Sequence, residues 1–171
     1  AVAINYLMQR LWAPWREGYI TKVIQNKHKG CVFCQIVKDK KDSKNYVFLR
    51  SKLCFAVLNI YPYSNGHCLI LPNRHVGEIS KVTPEEFSDM MGLLIQTKGL
   101  LEKTIKPHGY NVGFNLGRLA GAGIPKHIHM HVVPRWSGDH NFMPIVAGTK
   151  VISQSLKAIY RLLSDANKKR Y

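Results

Sequence analysis

Three observations predict an α+β chain, in which an antiparallel sheet is crossed by one long helix and followed by a shorter one. Short runs rich in β-branched and aromatic residues recur between turn signals. One long segment carries apolar residues at helical spacing. Toward the C-terminal third, every second residue of one run is a histidine, which is the period of a strand.

Taken in order, residues 46–50 and 54–58 read as strands. Tyr61-Pro62-Tyr63-Ser64-Asn65-Gly66 is turn chemistry, because Asn-Gly readily takes positive φ. Residues 67–71 form the next strand, stopped by Pro72. Thr83-Pro84-Glu85-Glu86 is a helix start: Thr at the N-cap, Pro at the first helical position and Glu three residues after the cap. Phe87, Met90, Met91, Leu94 and Ile95 follow at helical spacing, and the helix is predicted to reach Ile105, ahead of Pro107-His108-Gly109. Its methionines read as core filler. Residues 110–115 form another strand, a glycine-rich loop spans 117–123, and 151–163 is the final amphipathic helix. The expected organisation is an N-terminal arm over residues 1–30 with Trp12, Trp15 and Tyr19 as anchors, a compact domain over 31–165 and a basic tail over 166–171.

A chain of 171 residues is long enough for one domain with a substantial core. No apolar run approaches the length of a transmembrane helix. The first residues lack the order of a secretory leader, so the expectation is a cytoplasmic protein that does not engage a membrane. Four cysteines suit a reducing compartment, where Cys31-x-x-Cys34 reads as a metal or redox pair. Cys54 and Cys68, inside strand patterns, read as small buried hydrophobes. The formal net charge of +15, from 25 Lys and Arg against 10 Asp and Glu, favours polyanionic partners. Lys38-Asp39-Lys40-Lys41 and Lys168-Lys169-Arg170 read as solvated loop and tail. No zinc finger, helix-turn-helix or stacking motif accompanies them, so nucleic acid is not the expected partner.

In His127-Ile128-His129-Met130-His131-Val132-Val133 the strand period sets three imidazoles on one face and Ile128, Met130 and Val132 on the other. A neutral imidazole is a nucleophile, a proton carrier and a metal ligand near neutral pH. The competing readings are a surface metal site and a chance cluster. We take this run as the active strand.

The same residues carry a resemblance. His-x-His-x-His with apolar residues between is the signature of the histidine triad (HIT) nucleotide-binding family. Leu11-Trp12-Ala13-Pro14-Trp15-Arg16, Phe55-Ala56-Val57-Leu58-Asn59 leading to Gly66-His67, Asn111-Val112-Gly113-Phe114-Asn115-Leu116-Gly117 and His131-Val132-Val133-Pro134-Arg135-Trp136 are similar to its bacterial branch, which contains diadenosine tetraphosphate phosphorylases. The resemblance covers residues 11 to 165 and implies a HIT-like fold and a homodimer or larger assembly. It implies an enzyme that cleaves dinucleoside polyphosphates at the α-phosphate through a nucleotidyl-histidine intermediate.

By the same resemblance His129 is the nucleophile, His131 donates to non-bridging phosphate oxygens, and His67 is the upstream histidine near the site. For His67 a hydrogen-bonded core role stands beside a phosphate role. Asn59 matches a ribose contact, and Phe33 and Ile36 match residues flanking the base, with plain core packing as the alternative for both. Asn115, Gly121 and Gly123 match phosphate contacts; glycines let backbone N–H groups approach a phosphate closely. The resemblance also implies zinc on Cys31, Cys34, His75 and His127, a closed set of two thiolates and two imidazoles suited to a structural metal. His28 is a competing ligand, and reduced cysteines packed on the sheet are the alternative. Gly123, Ile124 and Pro125 offer no side-chain donor where many relatives carry Ser, Thr or Gln, and Lys126 stands where some carry an acid. Phosphorolysis and hydrolysis therefore both stay open. So do cleavage of a nucleoside phosphoramidate or adenylate conjugate, and a nucleotide-sensing or nucleic-acid-binding module.

Overall fold

The structure, a computed structural model, describes residues 30–139 and 152–169. The arm expected over 1–30, with Trp12, Trp15, Tyr19 and His28, lies outside the described residues apart from Gly30. Two short helices, α1 (Val32–Asp39) and α2 (Asp42–Asn45), lead into β1 (Val47–Arg50), β2 (Cys54–Leu58) and β3 (Cys68–Pro72). A 3-10 turn at Ile79–Lys81 precedes the long helix α3 (Pro84–Thr104). Then come β4 (Gly109–Phe114), β5 (Met130–Arg135) and α4 (Leu156–Lys168). The strands form one antiparallel sheet in the order β1-β2-β3-β5-β4, the α+β arrangement that the sequence predicts.

Strand parity divides the core into two layers. Cys54, Ala56, Leu58, Cys68, Ile70, Met130 and Val132 face α3 and α4, where they meet Met90, Leu93, Leu100, Leu101, Ile159 and Leu163. Phe55, Val57, Leu69 and Leu71 face the other way and pack on Phe33 of α1. Cys54 and Cys68 are fully buried, and burial pushes their thiols up, that of Cys54 to about 12. Among the described residues no helix is long and apolar enough to cross a membrane.

The start of α3 follows its sequence signal. The Thr83 hydroxyl accepts from the Glu86 N–H at 3.2 Å, and the Glu86 carboxylate accepts from the Thr83 N–H at 3.0 Å. Glu86 also takes Arg74 through Nε at 2.9 Å and Nη2 at 2.7 Å, so the helix start is tied to the segment carrying His75. The guanidinium holds the Glu86 carboxyl below its ordinary range. At the other end of the helix Gly66 turns the chain at φ +71°, and a Cβ there would come 2.7 Å from Ile105 Cδ1. Glycine meets both demands without strain.

Two expectations need correction. The histidine run is a strand only from Met130 onward; residues 127–129 lie outside the ladder. Ile70 pairs with Met130, so Ile128 would fall opposite Pro72, whose ring nitrogen has no hydrogen to give. The Ile128 N–H goes instead to the Val76 carbonyl at 2.7 Å. The final helix begins at Leu156 rather than 151 and runs to Lys168, taking in the first residues of the expected basic tail. Ser155 caps it by accepting from the Ala158 N–H at 3.2 Å. Helices α1 and α2 are too short to announce themselves by periodicity.

Candidate active site

Parity gathers the site on the sheet face that carries Phe33. Asn59 and His67 extend the β2–β3 ladder through an Asn59 N–H to His67 carbonyl bond of 2.9 Å, and His131 pairs with Leu69 on one side and Gly113 on the other. The alternation persists beyond the ladder. His127 and His129 are buried among the sheet residues, while Ile128 packs on Val76 and Val82. The His129 and His131 rings lie 5.1 Å apart, and His67 lies 5.1 Å from His131. Phe33 packs 5.4 Å from both His127 and His129. Ile36 and Ile124 join the same apolar cluster.

Hydrogen bonds assign a tautomer to each ring. His129 Nδ1 lies 2.8 Å from the His127 carbonyl, which can only accept, so the proton sits on Nδ1 and the lone pair on Nε2. His67 Nδ1 accepts from the Tyr63 N–H at 3.0 Å, so its proton sits on Nε2 and is given to His131 Nδ1 at 2.9 Å. His131 in turn carries its proton on Nε2, a buried atom that meets no acceptor among the described residues. His127 donates through Nε2 to the Pro72 carbonyl at 2.9 Å, leaving the Nδ1 lone pair facing Cys31. Burial lowers the pKa of all three rings in the run, taking His131 to about 4 with help from its neighbour His129. They are neutral at pH 7. Among the described residues the row thus offers one unbonded lone pair, one unbonded N–H and one lone pair aimed at Cys31.

Tyr63 escaped the sequence reading except as turn chemistry. Its ring stacks on His131 at 5.8 Å and 13°, and lies 4.7 Å from His67. The apolar alternation of strands carries no signal for it. Asn59 lies against this group: its amide nitrogen is 3.4 Å from His67 Nδ1, and its oxygen accepts from the Tyr61 N–H at 2.9 Å.

The glycine loop is less open than its composition suggests. The Gly121 N–H goes to the Arg118 carbonyl at 3.0 Å and that of Ala122 to the Gly117 carbonyl at 3.2 Å. Gly121 therefore supplies a φ of +92° rather than a free donor. Asn115 reaches this turn, with its amide nitrogen 3.5 Å from where a Gly121 Cβ would stand.

Behind the row, Cys31, Cys34, His75 and His127 bring four ligand atoms within 4.8 Å of one another. Cys31 Sγ is 3.4 Å and Cys34 Sγ 3.7 Å from His127 Nδ1, and Cys34 Sγ is 3.3 Å from His75 Nδ1. A tetrahedral ion bound at usual zinc distances needs sulfur and nitrogen about 3.5 Å apart, so the residues fit such a metal. Burial and the neighbouring Cys31 raise the Cys34 pKa in its absence. This cluster could hold a metal.

Comparison with known proteins agrees with the geometry. A protein of Mycobacterium tuberculosis named AP-4-A phosphorylase is 39% identical over 162 residues, covering 92% of this chain and 83% of its own. An asymmetrical bis(5'-nucleosyl)-tetraphosphatase of Schizosaccharomyces pombe is 34% identical over 93 residues, covering 54% of this chain and 50% of its own. A zinc-bound histidine triad family protein from Mycobacterium smegmatis superposes with a TM-score of 0.67 at 26% identity, covering 82% of this chain and 95% of that one. The HIT domain profile matches residues 40–138, and with these relatives it shows that the chain belongs to the HIT domain family.

Proposed function

We propose that this protein is a nucleotide-binding enzyme that cleaves dinucleoside polyphosphates, such as diadenosine tetraphosphate, at the α-phosphate. The observation that carries the reading is the pairing of an Nε2 lone pair on His129 with an Nε2–H on His131, two positions on along the same face, neither bonded among the described residues. His129 Nε2 forms a bond to the α-phosphorus while the bond to the polyphosphate leaving group breaks, its oxygen keeping the electron pair. His131 donates to a non-bridging oxygen as negative charge builds there, and His67 keeps that donor in its tautomer. An acceptor oxygen then attacks the nucleotidyl-histidine, and the electron pair of the N–P bond returns to His129. With inorganic phosphate as acceptor the products of diadenosine tetraphosphate are ADP and ATP; with water they are AMP and ATP. The relative of 39% identity named AP-4-A phosphorylase favours phosphate.

In this reading Phe33 and Ile36 flank the base, Asn59 meets the ribose, and Asn115, Gly121 and Gly123 shape the phosphate site. Zinc on Cys31, Cys34, His75 and His127 would serve as a structural cross-link, binding α1 to the segment that leads into the histidine row. The His127 side chain then orients the row while its carbonyl holds His129. The edge strand β4, with Val112 46% exposed, and α3, with Ile95 71% exposed, suit pairing with a second copy as a homodimer. A cytoplasmic setting accords with a set of free thiols.

The test is product analysis on diadenosine tetraphosphate, with and without inorganic phosphate, for the wild type and His129→Ala. The expected result is ADP plus ATP only with phosphate, and a loss of at least ~1,000-fold in the variant. AMP plus ATP in both conditions would make it a hydrolase. No turnover in either would sink the substrate assignment and direct attention to adenosine phosphoramidates and adenylate conjugates.

A further inference from the structure

We propose that Tyr63 is a positioning residue for the His67–His131 pair, its ring clamping both imidazoles so that the His131 Nε2–H stays aimed into the site. The proposal rests on the reading of His131 as a phosphate donor. Tyr63 acts in two ways. Its N–H fixes His67 as the Nε2–H tautomer through the 3.0 Å bond to Nδ1. Its ring lies at 13° to the His131 plane, 5.8 Å away, and at 31° to His67, 4.7 Å away, so one face covers both partners of the 2.9 Å His67–His131 bond.

Tyr63 is 40% exposed, whereas His67 is 1% exposed. The covered part of Tyr63 lies against the two imidazoles, where it keeps water off their bond. That matters because the bond between the imidazoles can be lost to water. Water reaching His67 Nε2 or His131 Nδ1 competes for their bond, and a His131 freed from His67 interchanges its two neutral tautomers. In the wrong tautomer Nε2 carries a lone pair where negative charge would build. No side chain from the neighbouring strands replaces the lost partner, since the register neighbours of His131 are Leu69 and Gly113.

The experiment compares Tyr63→Ala, which keeps the N–H but removes the ring, with Tyr63→Phe, which keeps both. For Tyr63→Ala on diadenosine tetraphosphate we expect kcat about tenfold lower with KM within about threefold, and for Tyr63→Phe near wild-type kcat. Histidine-selective 15N NMR of the protein without substrate reads the same effect directly, with the His131 signal assigned by its loss in His131→Asn. Wild type and Tyr63→Phe should show one tautomer of His131, protonated at Nε2, and Tyr63→Ala an averaged pattern. Wild-type kcat together with a single His131 tautomer in Tyr63→Ala would overturn the proposal. Loss of both in Tyr63→Phe would assign the effect to the hydroxyl and overturn the role of the ring. If wild type does not turn the substrate over, the functional reading fails while the NMR comparison still decides on Tyr63. If Tyr63→Ala does not fold, Tyr63→Leu replaces it as the variant of similar bulk without an aromatic ring.

Discussion

Removing metal from the Cys31, Cys34, His75 and His127 cluster should cost this protein a large share of its thermal stability. The four ligand atoms already lie within 4.8 Å of one another, so binding needs little rearrangement and its free energy goes into holding α1 against the row. Zinc at a free concentration a thousandfold above its dissociation constant stabilises the folded state by about 4 kcal/mol. For a domain of this size each kcal/mol moves Tm by about 2–4 °C, so chelation should lower Tm by about 8–16 °C. The assay is a melting curve with and without a strong chelator, on protein purified under reducing conditions, with zinc content measured by elemental analysis. His75→Ala is the informative variant, because His75 is exposed and touches the cluster through Cys34 at 3.3 Å and the His127 ring at 5.4 Å. It should melt near the chelated wild type and respond no further to chelator. Wild-type protein without stoichiometric zinc, and with a Tm that chelator leaves unmoved, would refute the reasoning and leave four reduced side chains packed together.

Stability should also fall with pH in a window set by the row. The pKa of His131 is held down from 6.5 to about 4, by burial first and His129 second. Between those values the unfolded chain binds the proton and the folded one does not, so this contribution is complete above the unfolded pKa and is lost as pH falls toward the folded one. The contribution, reduced by solvent screening because the ring is partly exposed, is read as a urea midpoint that drops between pH 7 and 4.5 and drops less in His131→Asn; a midpoint that stays level would contradict the assignment. Gly66→Ala should destabilise by about 2 kcal/mol, because it sets a Cβ at positive φ and against Ile105. An unchanged urea midpoint would show that the turn relaxes freely.

What was legible in the sequence had local physics behind it. Thr83 and Glu86 bond to each other across one helical turn, so their spacing alone announces α3. Parity was equally legible: Asn59, His67, His129 and His131 come to one face because each is an even number of residues from an inward-facing neighbour. What failed depended on partners far along the chain. The ladder stops at Met130, where Pro72 would stand opposite Ile128 with no N–H to give, a mismatch of two segments 56 residues apart that neither reveals by itself. Within the glycine loop the N–H groups of Gly121 and Ala122 are taken by the nearby Arg118 and Gly117 carbonyls, a turn that glycine content alone does not specify. His75, as the fourth corner of the metal cluster, came from resemblance, because Cys-x-x-Cys does not say where the other ligands lie.

The row itself shows how far periodicity can carry a functional argument. Alternation makes His127, His129 and His131 equivalent: three imidazoles on one face, each capable of any imidazole chemistry. Their hydrogen-bond partners make them different. A carbonyl at Pro72 turns the lone pair of His127 toward the cysteines. A carbonyl at His127 turns that of His129 into the site, and the N–H of His67 turns the proton of His131 there. One neighbour sits two residues away and the other two sit 55 and 64 residues away. Only the middle histidine has its chemistry set by its own segment of chain; the flanking two take theirs from β3 and the turn before it. A substitution in the Tyr63–His67 turn or at the Pro72 bend can therefore change the reaction while leaving every histidine of the row in place.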